Sequence, residues 1–201
     1  QPPRRVRAVR VDTRLAARDR VRMAVAPAGF TGAGLQVVDA TNPAAPQVVA
    51  ALALAGNAND LHVVGNLAYI AAGDAGVQIV DISNPRQPML RGGVAFNGAT
   101  DIVVRNSRAY VAAGADGLKI VDVSTPAAPV VLGTFPIAQS SLANGVDADP
   151  ARNLAVLSIA ETGFDGRVQV IDVSNPAAPV GRDTLPFQFC QDVSLNGATL
   201  L

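Results

Sequence analysis

GVQIVDISNPRQP (Gly76–Pro88) is the stretch that decides the architecture, because the chain writes close copies of it three more times. They are GLQVVDATNPAAP (Gly34–Pro46), GLKIVDVSTPAAP (Gly117–Pro129) and RVQVIDVSNPAAP (Arg167–Pro179). The aspartates stand at positions 39, 81, 122 and 172, giving intervals of 42, 41 and 50 residues. Self-similarity at a period of about 40–45 residues marks a stacked array of small units, none of which can bury its apolar face alone.

Reading outward from Gly76, the second unit contains DLHVV (Asp60–Val64), LAYIAAG (Leu67–Gly73), GVQIVDIS (Gly76–Ser83) and PMLRGGVAF (Pro88–Phe96). The third repeats it as DIVV (Asp101–Val104), RAYVAAG (Arg108–Gly114), GLKIVDVS (Gly117–Ser124) and PVVLGTF (Pro129–Phe135). Short runs of Val, Ile, Leu and Tyr punctuated by Gly, Asn, Asp and Pro read as strands. No 3.6-residue apolar spacing persists, so almost no helix is expected. Four strands in about 42 residues is the pattern of a blade, and the fold class predicted is all-β, a β-propeller.

The units are placed at 20–57, 58–98, 99–142 and 143–190, with 191–201 starting another blade of the single domain 1–201. RVRMAVA (Arg20–Ala26) matches the second strand of a blade, and Leu201 falls inside the matching strand of a later one. The expectation is between four and five blades, an incomplete part of a propeller of about six to eight. The longer fourth unit takes its extra residues before Gly145, in Asp147–Asn153 and in Glu161–Gly166, all loop positions.

Composition narrows the function classes. The net charge is zero, so no global field draws nucleic acid or an acidic surface. Apolar residues make up 49% and charged ones 16%, a profile that suits strands covered on both faces. No run of 18 apolar residues is present, so no helical transmembrane segment is expected. One cysteine excludes an internal disulfide. Eight arginines lie within residues 4–22, but VRAVRVD and RVRMAVA alternate charged with apolar residues as half-exposed strands do. They lack the interleaved aromatics of a nucleic-acid platform, and no nucleic-acid partner is expected.

The segments VVDATNP, IVDISNP, IVDVSTP and VIDVSNP, with AYIAAG and AYVAAG one strand earlier, resemble the LVIVD repeat family over roughly residues 20–201. The resemblance implies a β-propeller of bacterial or archaeal origin, mostly exported or surface-associated, with no agreed enzymatic activity. This chain departs from the pattern in its fourth unit, where Val156 replaces the tyrosine and the loops lengthen.

Two aspartate columns emerge from the alignment of the units. The strand-end set, Asp39, Asp81, Asp122 and Asp172, precedes Ser or Thr and then Asn/Thr-Pro. Such an Asp accepts from a turn amide two residues on, and proline stops the strand, so a structural turn cap is expected. The strand-opening column holds Asp60, Asp101, Gly145 and Asp192, each preceded by a polar residue: Asn59, Thr100, Asn144 and Gln191. At the start of an innermost strand these would ring one channel mouth, as candidates to bind a polar ligand or a calcium ion. The alternative is that each Asp bridges backbone amides of the next blade. Asp74, Asp116–Gly117, Asp165–Gly166 and Thr31–Gly32 read as hairpin turns, without the ligand spacing of a calcium loop.

His62 is the sole histidine, and its column holds Val103 in the next unit, which reads as a partly buried strand position. A catalytic triad or zinc site needs more partners than one His and one Cys supply. Cys190 shares its column with Ala58, Ala99 and Ala143 and reads as a small apolar filler. The functional expectation is a non-enzymatic scaffold, exported or on the cell surface, contacting a protein or a glycan through its loops and needing no cofactor. The rivals are a hydrolase or lyase with carboxylates at the channel mouth and a ligand-free spacer; fold alone separates none of these.

Overall fold

The structure, a computed structural model, describes residues 21–26, 34–161, 165–188, 191–196 and 199–200, and every regular element among them is a β-strand. The first sheet holds β1 (Val21–Ala26), β2 (Gly34–Asp39) and β3 (Gln47–Leu52). The second holds β4 (Asp60–Val64), β5 (Leu67–Ala71), β6 (Val77–Asp81) and β7 (Met89–Val94). The third consists of β8 (Asp101–Arg105), β9 (Arg108–Ala112), β10 (Leu118–Asp122) and β11 (Val130–Phe135). The fourth consists of β12 (Leu142–Asp149), β13 (Leu154–Ala160), β14 (Asp165–Asp172) and β15 (Val180–Gln188). A short pair, β16 (Leu195–Asn196) and β17 (Thr199–Leu200), follows. Every pairing is antiparallel between strands consecutive in sequence, the up-and-down meander of a blade.

Local chemistry sets the strand ends. Asn106 and Ser107, with φ of 49° and 58°, form the two-residue link between β8 and β9. Both central residues need positive φ there, the turn whose twist matches its flanking strands. At the far end of each third strand, proline begins a tight turn. The amides of Ala45, Gln87, Ala128 and Ala178 donate to the carbonyls of Asn42, Asn84, Thr125 and Asn175 at 2.9–3.1 Å.

Alternation of side chains then joins the sheets. Tyr69, Ala71, Val77 and Ile79 pack with Ile102, Val104, Ala109 and Val111 of the third sheet. Their neighbours Ala68, Ile70 and Val80 point the other way, against Leu35 and Val37 of the first. Tyr110, Leu118 and Ile120 likewise meet Val146, Leu157 and Ile159 of the fourth. Each middle sheet therefore buries both faces, and the period-2 pattern sorts its residues between two neighbours.

Contacts between sheets concentrate on the first two strands: β4 with β8, β5 with β8, β8 with β12, and β9 with β12. The sheets converge at their first strands and fan apart toward their fourth, which places the axis beside β4, β8 and β12. Main-chain bonds tie successive sheets near that axis: Gly73 and Ala99 exchange a pair at 3.0 and 3.1 Å, and Ala143 donates to Gly114 at 2.9 Å.

Each outer strand carries one residue with no opposite number: Val49, Arg91, Leu132 and Arg182. Such a bulge bends the strand and increases its twist. After two of these bulges the backbone of the next blade comes close. A Cβ on Gly92 would sit 2.5 Å from the Pro126 carbonyl, and one on Gly133 would sit 2.3 Å from that of Pro176. The proline turn of one blade thus rests on the bulge of the blade before it. Arg20 and the arginine-rich stretch preceding it lie outside the described residues, as do Thr31–Gly32, residues 162–164 and Cys190.

Candidate functional site: two ends of the inner strands

The strand-end aspartates are held by their own turns. Oδ1 of Asp39, Asp81, Asp122 and Asp172 accepts from the amides of Thr41, Ser83, Ser124 and Ser174 at 2.8–2.9 Å. Asn42, Asn84 and Asn175 repeat the device one turn later, accepting from Ala44, Arg86 and Ala177 at 3.1–3.2 Å. Hydrogen bonds from the hydroxyl and amide of Thr41, Ser83 or Ser124 lower the carboxyls of Asp39, Asp81 and Asp122. Asp172 falls furthest, to about 2, through the Ser174 amide and hydroxyl and then through Arg182. Arg182 occupies the bulge of β15, and its Nε donates to Asp172 at 3.0 Å.

The strand-opening residues lie at the opposite end of each blade. Asn59, Thr100, Asn144 and Gln191, one from each of four successive units, line a cleft of about 330 Å³. Asn144 is the extra residue of a bulge in β12, where the register skips from Ala143 to Gly145. Two of the four also tie blades together. Asn59 Nδ2 donates to the Ala99 carbonyl at 2.8 Å, and Thr100 Oγ1 lies 3.0 Å from the carbonyls of both Ala112 and Ala143. Among the described residues, no hydrogen bond engages the side-chain amides of Asn144 and Gln191.

The neighbouring carboxylates reach across blade boundaries. Asp60 Oδ2 accepts from the Ile102 amide at 3.3 Å, and Asp101 Oδ2 from the Val146 amide at 2.7 Å. Asp60 lies within hydrogen-bonding reach of Asp101; its burial, and then that carboxyl neighbour, push its own carboxyl up to about 8. The pair therefore favours holding one proton between its two carboxyls, because adjacent half-buried carboxylates resist ionising together.

The fourth unit performs this link differently. A Cβ on Gly145 would come 2.9 Å from Asp192 Cα, so this column has no room for an aspartate here. Buried Ser158 takes the Gly145 amide at 2.8 Å. The bridging carboxylate moves two residues along to Asp147, whose Oδ2 accepts from the Leu195 amide at 2.9 Å. Asp192 turns to its own neighbour, accepting from the Val193 amide at 2.8 Å. The sequence places Asp147 in a loop and gives Ser158 no role; the structure puts Asp147 in β12 and Ser158 in β13, both buried. The visible signal was Gly145 interrupting an aspartate column, with a new aspartate two positions later.

His62 lies buried in β4, its Nε2 3.1 Å from Nη1 of Arg105 on the next blade. Asp74 accepts from the Gly98 amide at 3.3 Å, within the turn region that joins two blades. Among the described residues, no group of three or more His, Cys, Asp or Glu side chains is placed to hold a metal ion. No helix among them is long and apolar enough to cross a membrane.

These repeats match the family model of the LVIVD repeat at residues 55–95, 98–136 and 163–182, and the chain belongs to that family. It is an all-β protein of propeller blades. No curated protein matches it. Among solved structures, the computationally designed Ika4 protein superposes with a TM-score of 0.57 at 16% identity, over 77% of this chain and 89% of that one. The computationally designed Ika8 protein gives a TM-score of 0.54 at 12% identity, over 92% of this chain and 65% of that one. At these identities the likeness is one of fold.

Proposed function

We propose that this LVIVD propeller is a non-enzymatic binding module, exported or displayed on a bacterial or archaeal surface, whose mouth takes a neutral, hydroxyl-rich ligand such as a glycan chain. The observation that carries the reading is the convergence of Asn59, Thr100, Asn144 and Gln191 on one cleft, with the side-chain amides of Asn144 and Gln191 not engaged by any described residue. A carboxamide offers donors and an acceptor side by side, which matches vicinal hydroxyls. No charged side chain lines that cleft among the described residues, which favours a neutral ligand over an ionic one. The surface location rests on the family resemblance.

The reading takes no cofactor. Calcium at Asp60 and Asp101 is the competing use of the mouth, and it is opposed by the engagement of both carboxyls with amides of the next blade. A hydrolase or lyase reading is favoured by one feature, the buried Asp60 carboxyl beside that of Asp101, which burial and then that neighbour push up to about 8. A panel of neutral glycans, immobilised and probed with the 201-residue chain, separates these. The expected result is retention without turnover, insensitive to chelator, that falls about tenfold or more in Asn144→Ala and Gln191→Ala, as loss of a directed hydrogen bond implies. Product release from any glycan, or retention unchanged in both variants, overturns it.

A further inference from the structure

At the other end of the inner strands a second cleft of about 330 Å³ lies between Arg105, where β8 ends, and residues 147–151, where β12 runs into its turn. A guanidinium carries five N–H groups. Nη1 of Arg105 uses its pair on the Val104 carbonyl and His62 Nε2, each at 3.1 Å. Nη2 stands 3.6 Å from Asp147 Oδ1, an ion pair beyond hydrogen-bonding distance. Nε and Nη2 therefore keep N–H groups that no acceptor among the described residues takes. These two nitrogens form the edge that grips a planar pair of oxygens.

The cleft's own carboxylates are already spoken for. Asp147 accepts from the Ala148 amide at 2.8 Å and the Leu195 amide at 2.9 Å. Asp149 accepts from the Ala151 amide at 3.0 Å and from Arg152 Nη1 at 2.9 Å. Both carboxylates are engaged by other donors of the protein, while N–H groups of Arg105 are left over. The guanidinium is also held in place by three blades, through His62, its own strand and Asp147, so little ordering remains on binding.

We propose that the Nε–Nη2 edge of Arg105 is a binding site for a single carboxylate, separate from the mouth at the opposite end of the strands. Charge favours a monoanion. Arg105 and Arg152 balance Asp147 and Asp149, and a dianionic phosphate would set two further negative charges beside those aspartates. A carboxylate reaches such a cleft either as a free small acid or as the end of a peptide chain.

The test is a titration of the 201-residue chain with acetate, with the peptide Gly-Gly-Val bearing a free terminal carboxylate, with the same peptide amidated, and with inorganic phosphate, following the side-chain Nε–H resonance of Arg105. The expected result is a saturable shift with acetate, the free peptide or both, none with the amide, and about tenfold or greater weakening in Arg105→Lys, which keeps charge but loses the fork. Acetate alone shifting the resonance assigns a small acid; the free peptide binding much more tightly assigns a chain end. Equal binding of free and amidated peptides, preference for phosphate, or no shift from any carboxylate overturns the proposal. The amide comparison is made on the unaltered protein, so it stands even if Arg105→Lys folds poorly.

Discussion

An aspartate at the end of each third strand caps its own turn. It accepts the amide two residues on, just before a proline turn, and its negative form is the one those donors prefer. Asp81→Ala leaves the Ser83 amide without that acceptor, and a lower melting temperature with unchanged ligand retention is the expected outcome of a thermal melt. The pH behaviour has a definite sign. The four carboxyls are lowered from an ordinary 3.8, Asp172 to about 2, so the folded state releases these protons more readily than the unfolded chain. Their contribution is present above the ordinary 3.8 and is lost as pH falls through the lowered folded-state values, about 2 for Asp172. This layer was legible in the sequence, since donor, acceptor and proline lie within five residues of one another. Asp147 was not legible as the fourth bridging carboxylate, because its partner amide on Leu195 is 48 residues away and its column is His62 and Val103 in earlier units.

At the scale of the element, the blade reads as a strand meander whose bulge receives the proline turn of its neighbour. The strands themselves were legible from alternation and turn residues. That Gly92 and Gly133 are docking points was not, since the atoms they make room for belong to the following unit. Gly133→Ala drives a methyl group against the Pro176 carbonyl and the Ala177 backbone. Overpacking of this kind costs about 1–3 kcal/mol, and denaturant unfolding is expected to show a lowered midpoint with an unchanged slope. Tyr69 and Tyr110 face the next blade from the second strand, and Val156 does so in the fourth unit, where Val168 and Val193 are its buried companions.

Across the whole molecule, the joint between the second and third blades holds a proton that the unfolded chain does not. Asp60 keeps it up to about 8, whereas an ordinary aspartate releases it near 3.8. Between those values the folded state binds one more proton, so stability falls as pH rises through that window. Asp60→Asn retains an acceptor for the Ile102 amide and a donor toward Asp101 while removing the titration. Melting temperatures measured from pH 5 to pH 8 should decline in the parent and flatten in this variant. Neither the paired carboxyls nor the His62, Arg105 and Asp147 contact was legible from spacing, because each joins residues more than 40 positions apart on separate sheets. The unmatched residues in the outer strands, Val49, Arg91, Leu132 and Arg182, carry one last consequence. A rim strand interrupted in this way offers a passing chain no unbroken row of amides to zip onto, so an array with so much exposed perimeter resists fusing edge to edge into fibres.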